Sequence, residues 1–94
     1  MYAVTVTFTL RAGTRDAFLP LMQANARASL EQEPGCRQFD VCSNGDDVIF
    51  LYELYDDADA FQTHLQSTHF KSFDAEVAGM IADKSVATFT QVTQ

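Results

Sequence analysis

Four polar side chains in this 94-residue sequence fall where apolar ones are expected, and together they could move a proton. Asn25 and Ser29 share a stripe with Phe18 and Met22, at spacings of four, three and four that place all of them on one face of a helix. His64 shares a second helical stripe with Phe61, Leu65 and Thr68. Glu53 interrupts the apolar run Val48 to Tyr55. If both stripes face a sheet, Asn25, Ser29 and His64 point inward, where each needs a partner. A buried carboxylate has a raised pKa unless it is paired, and His64 or a bound ligand could pair with Glu53. The plainer readings are a hydrogen-bonded core histidine and a Glu53 on an edge strand, reaching water. Tyr52 and Tyr55 offer hydroxyls at the rim of the same region. His64 and His69 are five apart, about 140° around a continuous helix, so they do not make a metal pair and no metal is expected. With no glycine-rich phosphate loop and no nucleophile elbow, the chemistry predicted is proton transfer rather than phosphoryl transfer or covalent catalysis.

The elements that must position these residues read clearly. From Tyr2 to Leu10, apolar residues occupy every even position and Ala or Thr every odd one, the period of a strand. Thr14 is an N-cap for a helix to about Gln32, in which Pro20 implies a bend or a later start. Glu33-Pro34-Gly35 ends that helix. Cys36 to Ser43 is a strand with Phe39 and Val41 on one face, and Asn44-Gly45 turns it into the strand Val48 to Tyr55. Asp56 and Asp57 open a second helical region through Phe61 and His64, followed by a further helical pattern of Phe70, Phe73, Val77, Met80 and Ile81. Ser85 to Thr93 reads as the last strand. The order β-α-β-β-α-β predicts a ferredoxin-like α+β fold, an antiparallel sheet with helices on one face, as a single domain over residues 1–94.

Composition narrows the partners. A net charge of −7 with six scattered Lys and Arg predicts no nucleic-acid binding. The apolar runs are too short to span a bilayer, and Met1 leads straight into a strand pattern rather than a signal segment, so no membrane partner is expected. Cys36 and Cys42 would sit roughly 20 Å apart along a strand, too far to bridge, which suggests a reducing, cytoplasmic setting. Hydrophobic residues make up 47% of the chain, including eight Phe and three Tyr, more than a small core hides easily. The strand Val48 to Tyr55 is apolar on both faces, so the face away from the helices needs a cover, and a second copy of the chain packed sheet to sheet is the simplest one. A C-terminal tail folded over a monomer is the alternative.

Glu33-Pro34-Gly35-Cys36, Phe39-Asp40-Val41, Tyr52-Glu53 with Tyr55, and His64 with Thr68-His69-Phe70 occur in an order that resembles the antibiotic biosynthesis monooxygenase family, including its small quinol monooxygenases. The resemblance covers nearly the whole chain, with Thr68 standing where many relatives have proline. It implies a dimeric α/β barrel with a pocket between helices and sheet in each subunit. It also implies oxidation of a small phenolic or quinol substrate by molecular oxygen without metal, flavin or haem, so no cofactor is expected. A related member type isomerises a phosphorylated autoinducer sugar derivative. Both types share the positions matched here by Asn25, Tyr52-Glu53 and His64.

On position and resemblance, His64 is assigned as base or proton shuttle, with Glu53 orienting it. Asn25 and Tyr52 are expected to hold the substrate oxygen. Phe39, Phe50 and Tyr55 are expected to line the cavity, and Ser29 and His69 to contribute to substrate binding. The alternatives are an isomerase of a small phosphorylated ketone, whose phosphate would need a cation such as Arg27 or Lys71 or a helix N-terminus, and a non-catalytic ligand-binding module.

Overall fold

The computed structural model describes residues 1–94. The chain runs β1 (Tyr2–Leu10), α1 (Arg15–Gln32), β2 (Cys36–Ser43), β3 (Val48–Tyr55), α2 (Ala58–Gln66), α3 (Thr68–Val77), a 3₁₀ turn (Ala78–Met80) and β4 (Ile81–Phe89). The strands form one antiparallel sheet in the order β2-β3-β1-β4, the ferredoxin-like arrangement, so β1 and β3 are central. Register places Val4 opposite Glu53, Val6 opposite Leu51 and Phe8 opposite Ile49, which puts these residues on one face. The helices cover that face. Phe18 of α1 packs edge-on against Phe8 of β1 at 5.2 Å and Phe73 of α3 at 5.8 Å between ring centroids, tying the two layers together.

Local chemistry explains the helix limits. Thr14 is the N-cap residue of α1, but its hydroxyl donates to the Arg11 carbonyl at 2.7 Å instead of accepting from the helix. Pro20 stands inside α1 without ending it. Pro20 and Asp16 are both exposed, so the carbonyl deprived of its N–H partner can bond water. Asp57 caps α2 by accepting from the Ala60 amide at 2.8 Å. Gly35 lets the start of β2 approach α2: a Cβ there would lie 2.6 Å from that of Ala60.

Two expectations require correction. The stripe from Phe61 to Thr68 does not lie on one helix: α2 ends at Gln66, where Ser67 breaks it, accepting from the Phe70 amide at 3.2 Å and donating to the His64 carbonyl at 2.7 Å. Thr68 takes the first position of α3, a place proline also fills well, so the departure from the family pattern leaves this junction intact. The last strand begins at Ile81 and ends at Phe89, four residues earlier at each end than the Ser85 to Thr93 segment. Pairing with β1 fixes it there, with Lys84 opposite Phe8 and Val86 opposite Val6. The polar run Asp83-Lys84-Ser85 has no burial pattern of its own to reveal this.

The accessible surface is 5489 Å², close to the roughly 5,400 Å² that area scaling gives for a compact chain of this mass. The apolar excess is therefore not hidden by unusual compaction. Much of it lies on the sheet face away from the helices, where Phe50 is 40% and Phe89 50% exposed beside Tyr52 and Leu54. No helix is long and apolar enough to cross a membrane.

Candidate active site

Between the helices and the inner sheet face lies a cavity lined mainly by apolar groups, among them Phe39, Phe61 and Phe70, with Asn25, Glu53, His64 and Lys84 as its polar members. The inward stripes account for two of these. Asn25 and Ser29 are buried on α1, as the spacing predicts, and His64 is buried near the end of α2. Glu53 lies on the central strand β3 and is only 3% exposed, which excludes the edge-strand reading.

His64 is held by a residue to which the sequence assigns no role at the site. Its Nδ1 lies 2.9 Å from Oε2 of the buried Glu33, at the C-cap of α1. The same oxygen meets Nε2 of His69 at 2.5 Å. Ser29 Oγ is 3.4 Å from the same Nδ1 and donates to the Asn25 carbonyl at 2.8 Å. With Nδ1 engaged, Nε2 is the His64 nitrogen left for the cavity. The ring is enclosed by Phe70 at 5.0 Å, Tyr55 at 5.7 Å and Phe39 at 5.8 Å. Burial lowers the His64 pKa, Glu33 pulls it back up, and His69 lowers it again.

Glu53 does not orient His64, contrary to the sequence expectation. Its Oε1 accepts from the Tyr55 hydroxyl at 2.5 Å. Burial raises the Glu53 pKa to about 7, against the opposing effects of the Tyr55 hydrogen bond and Lys84. The cavity thus presents two titratable groups displaced in opposite directions, a histidine favoured neutral and a carboxyl favoured protonated, the pattern of an acid–base pair. Asn25 Oδ1 is buried and lacks a protein partner, so it can accept from a substrate hydroxyl.

The remaining assignments divide. Phe39 lines the cavity. Tyr52 and Phe50 do not: they alternate with Glu53 and Leu51 on β3 and so lie on the opposite sheet face. The period of two that carries Glu53 inward carries Tyr52 outward. Tyr55 is fully buried behind the cavity and acts on it through Glu53, not at its rim. Ser29 and His69 stand behind His64 and Glu33, not on the cavity wall.

His69 converges on Glu33 because the break at Ser67 redirects the chain, so the 140° separation of a continuous helix does not apply. The two histidines do come together, with Glu33 between them: donor atoms of Glu33, His64 and His69 lie within 4.8 Å of one another and could hold a cation. Direct hydrogen bonding to Glu33 engages the same two histidine nitrogens without one. Cys36 offers no reactive thiolate, since burial, assisted by Glu33 and Glu53, pushes its pKa up to about 12. Glu33 did carry a signal in the sequence: an acidic side chain at a helix C-terminus opposes the helix dipole.

Fold and cavity together define a small ferredoxin-like α+β protein with an aromatic, histidine-containing pocket under its helices. The family model for the antibiotic biosynthesis monooxygenases matches residues 1–76, and the chain belongs to that family. Its structure is similar to that of a candidate antibiotic biosynthesis monooxygenase from Nitrosomonas europaea, with TM-score 0.92 and 24% identity over 99% of this chain and 100% of the other. It is also similar to Rv0793 from Mycobacterium tuberculosis, with TM-score 0.89 and 25% identity over 99% and 96% of the two chains. PA3566 from Pseudomonas aeruginosa follows at TM-score 0.87 and 20% identity, over 98% and 94%. No curated protein matches the chain in sequence.

Proposed function

We propose that the chain, as one domain over residues 1–94, is a cofactor-independent monooxygenase that oxidises a small phenol or quinol with molecular oxygen. The observation that carries this reading is the anchoring of buried His64 Nδ1 by Glu33, which leaves Nε2 as the base toward an aromatic cavity. Family membership supports the reaction class. Asn25 Oδ1 accepts from the substrate hydroxyl before Nε2 removes its proton. The resulting phenolate is electron-rich enough to reduce oxygen itself, forming a bond between a ring carbon and oxygen. Glu53 protonates the distal peroxide oxygen. The proton on that ring carbon then passes to Glu53 as the O–O bond breaks and a carbonyl forms. The departing hydroxide takes the proton from His64. One phenol and one O₂ give one quinone and one water, and both side chains return to their starting states.

An oxygen-electrode screen of phenols and hydroquinones should show uptake equal to quinone formed, at a rate unchanged by chelator. Absence of uptake with every phenol would remove the oxygenase reading. Turnover of a phosphorylated ketone without uptake would assign the same acid–base pair to isomerisation.

A second copy of the chain is proposed to cover the apolar sheet face carrying Phe50, Tyr52, Leu54 and Phe89. Sedimentation through a dilution series should show a dimer at micromolar concentration, and a monomer there would defeat the assignment. The two free thiols suit the reducing cytoplasm.

A further inference from the structure

The cavity holds one cation that the acid–base scheme does not use. Lys84 lies on β4, opposite Phe8 on the inner sheet face, and contributes to the cavity wall beside the half-exposed Val86. Of the six Lys and Arg in the chain, it is the only one at the cavity. Its ammonium forms no salt bridge and no side-chain hydrogen bond. It sits 5.5 Å from the centroid of the Phe8 ring, a placement that keeps the charge turned toward an aromatic surface. Glu53 feels it, but Glu53 is already bonded to Tyr55 and lies on β3, two strands away and displaced along the sheet. In a protein of net charge −7, an unpaired ammonium at an aromatic cavity is a locally reversed field.

We propose that Lys84 anchors the substrate, and that the substrate is a phenol bearing a carboxylate at the end remote from its reacting hydroxyl. The hydroxyl end is directed to Asn25 and His64, and the ring fills the space among Phe39, Phe61 and Phe70. The carboxylate then meets Lys84 at the β4 side. This inference rests on the cavity being the substrate site assigned above, and it supplies the cation that Arg27 and Lys71 do not, since neither of those lines the cavity. A charge-assisted hydrogen bond from the ammonium would distinguish the acid from a neutral analogue of the same shape.

Calorimetric binding of 4-hydroxybenzoate and 4-hydroxybenzamide to the full chain tests this without turnover. The wild type should bind the acid about tenfold more tightly than the amide, Lys84→Met should remove that preference, and Lys84→Arg should retain most of it. Because Lys84 is exposed on an edge strand, Lys84→Met is expected to fold normally, and a thermal melt confirms that. Equal affinity for acid and amide in the wild type, failure of both to bind, or a preference that survives Lys84→Met would overturn the proposal. Binding with the expected preference but no oxygen uptake by any phenol would leave the anchor standing and remove only the oxygenase reading.

Discussion

Replacing His64 with alanine is expected to lower kcat for phenol oxidation by about 10²-fold or more, the usual contribution of a positioned general base. Ring removal also leaves Glu33 with His69 alone, so the change in turnover must be separated from a change in folding. His64→Asn makes that separation: its amide can still donate to Glu33 from near the Nδ1 position, yet it cannot take a proton from substrate. Both variants should lose activity while His64→Asn keeps its melting temperature close to wild type. Turnover by His64→Asn at the wild-type rate would remove His64 from the mechanism. The pH profile gives a second reading of the same residue. The base works when neutral, and burial lowers the His64 pKa, so the acid limb should lie below the ordinary imidazole value of 6.5. The acid works when protonated, and the Glu53 pKa is raised to about 7, so activity should fall as pH rises through that value. Glu53→Gln should lower the rate and abolish the alkaline limb while leaving the acid limb in place.

Much of this site is legible in the sequence because burial periodicity reports which residues share a face. The alternation in β1 fixes the inner face, and helical spacing correctly turns Asn25, Ser29 and His64 toward it. Alternation also had the information to send Tyr52 and Phe50 outward once Glu53 was placed inward, but β3 is apolar on both faces and its pattern does not say which face meets the helices. That choice depends on register with β1, where Val4 pairs with Glu53. Lys84 was lost for a related reason. An exposed edge strand has no hydrophobic period, and only pairing with β1 reveals that its lysine shares a face with Phe8. The meeting of His69 with Glu33 is set by tertiary geometry that no local spacing reports. A serine cap at residue 67 changes the direction of the chain, and two residues 36 apart in sequence come to share one hydrogen bond.

The second large effect is expected at Glu33, which is proposed to position His64 and which does not line the cavity. Glu33→Gln should lower kcat by about 10²-fold with little change in KM, because the carboxylate does two things for the base. It fixes the tautomer by accepting from Nδ1, and it stabilises the imidazolium formed when Nε2 takes the substrate proton. The neutral amide can accept one N–H but supplies no charge to the imidazolium. Glu33 raises the His64 pKa against the effect of burial, so its removal should lower that pKa further. The acid limb of the kcat profile should therefore move to lower pH as the plateau falls, since a weaker base is deprotonated over a wider range but accepts the proton less readily. Simple loosening of the structure would reduce the rate at every pH and leave the limb where it was. Titration of the His64 resonances by NMR in wild type and Glu33→Gln measures the same shift without turnover. Glu33→Asp, which keeps the charge on a shorter stem, should restore part of both the rate and the limb. A Glu33→Gln protein whose acid limb and His64 titration coincide with those of wild type would show that the carboxylate does not act on the base.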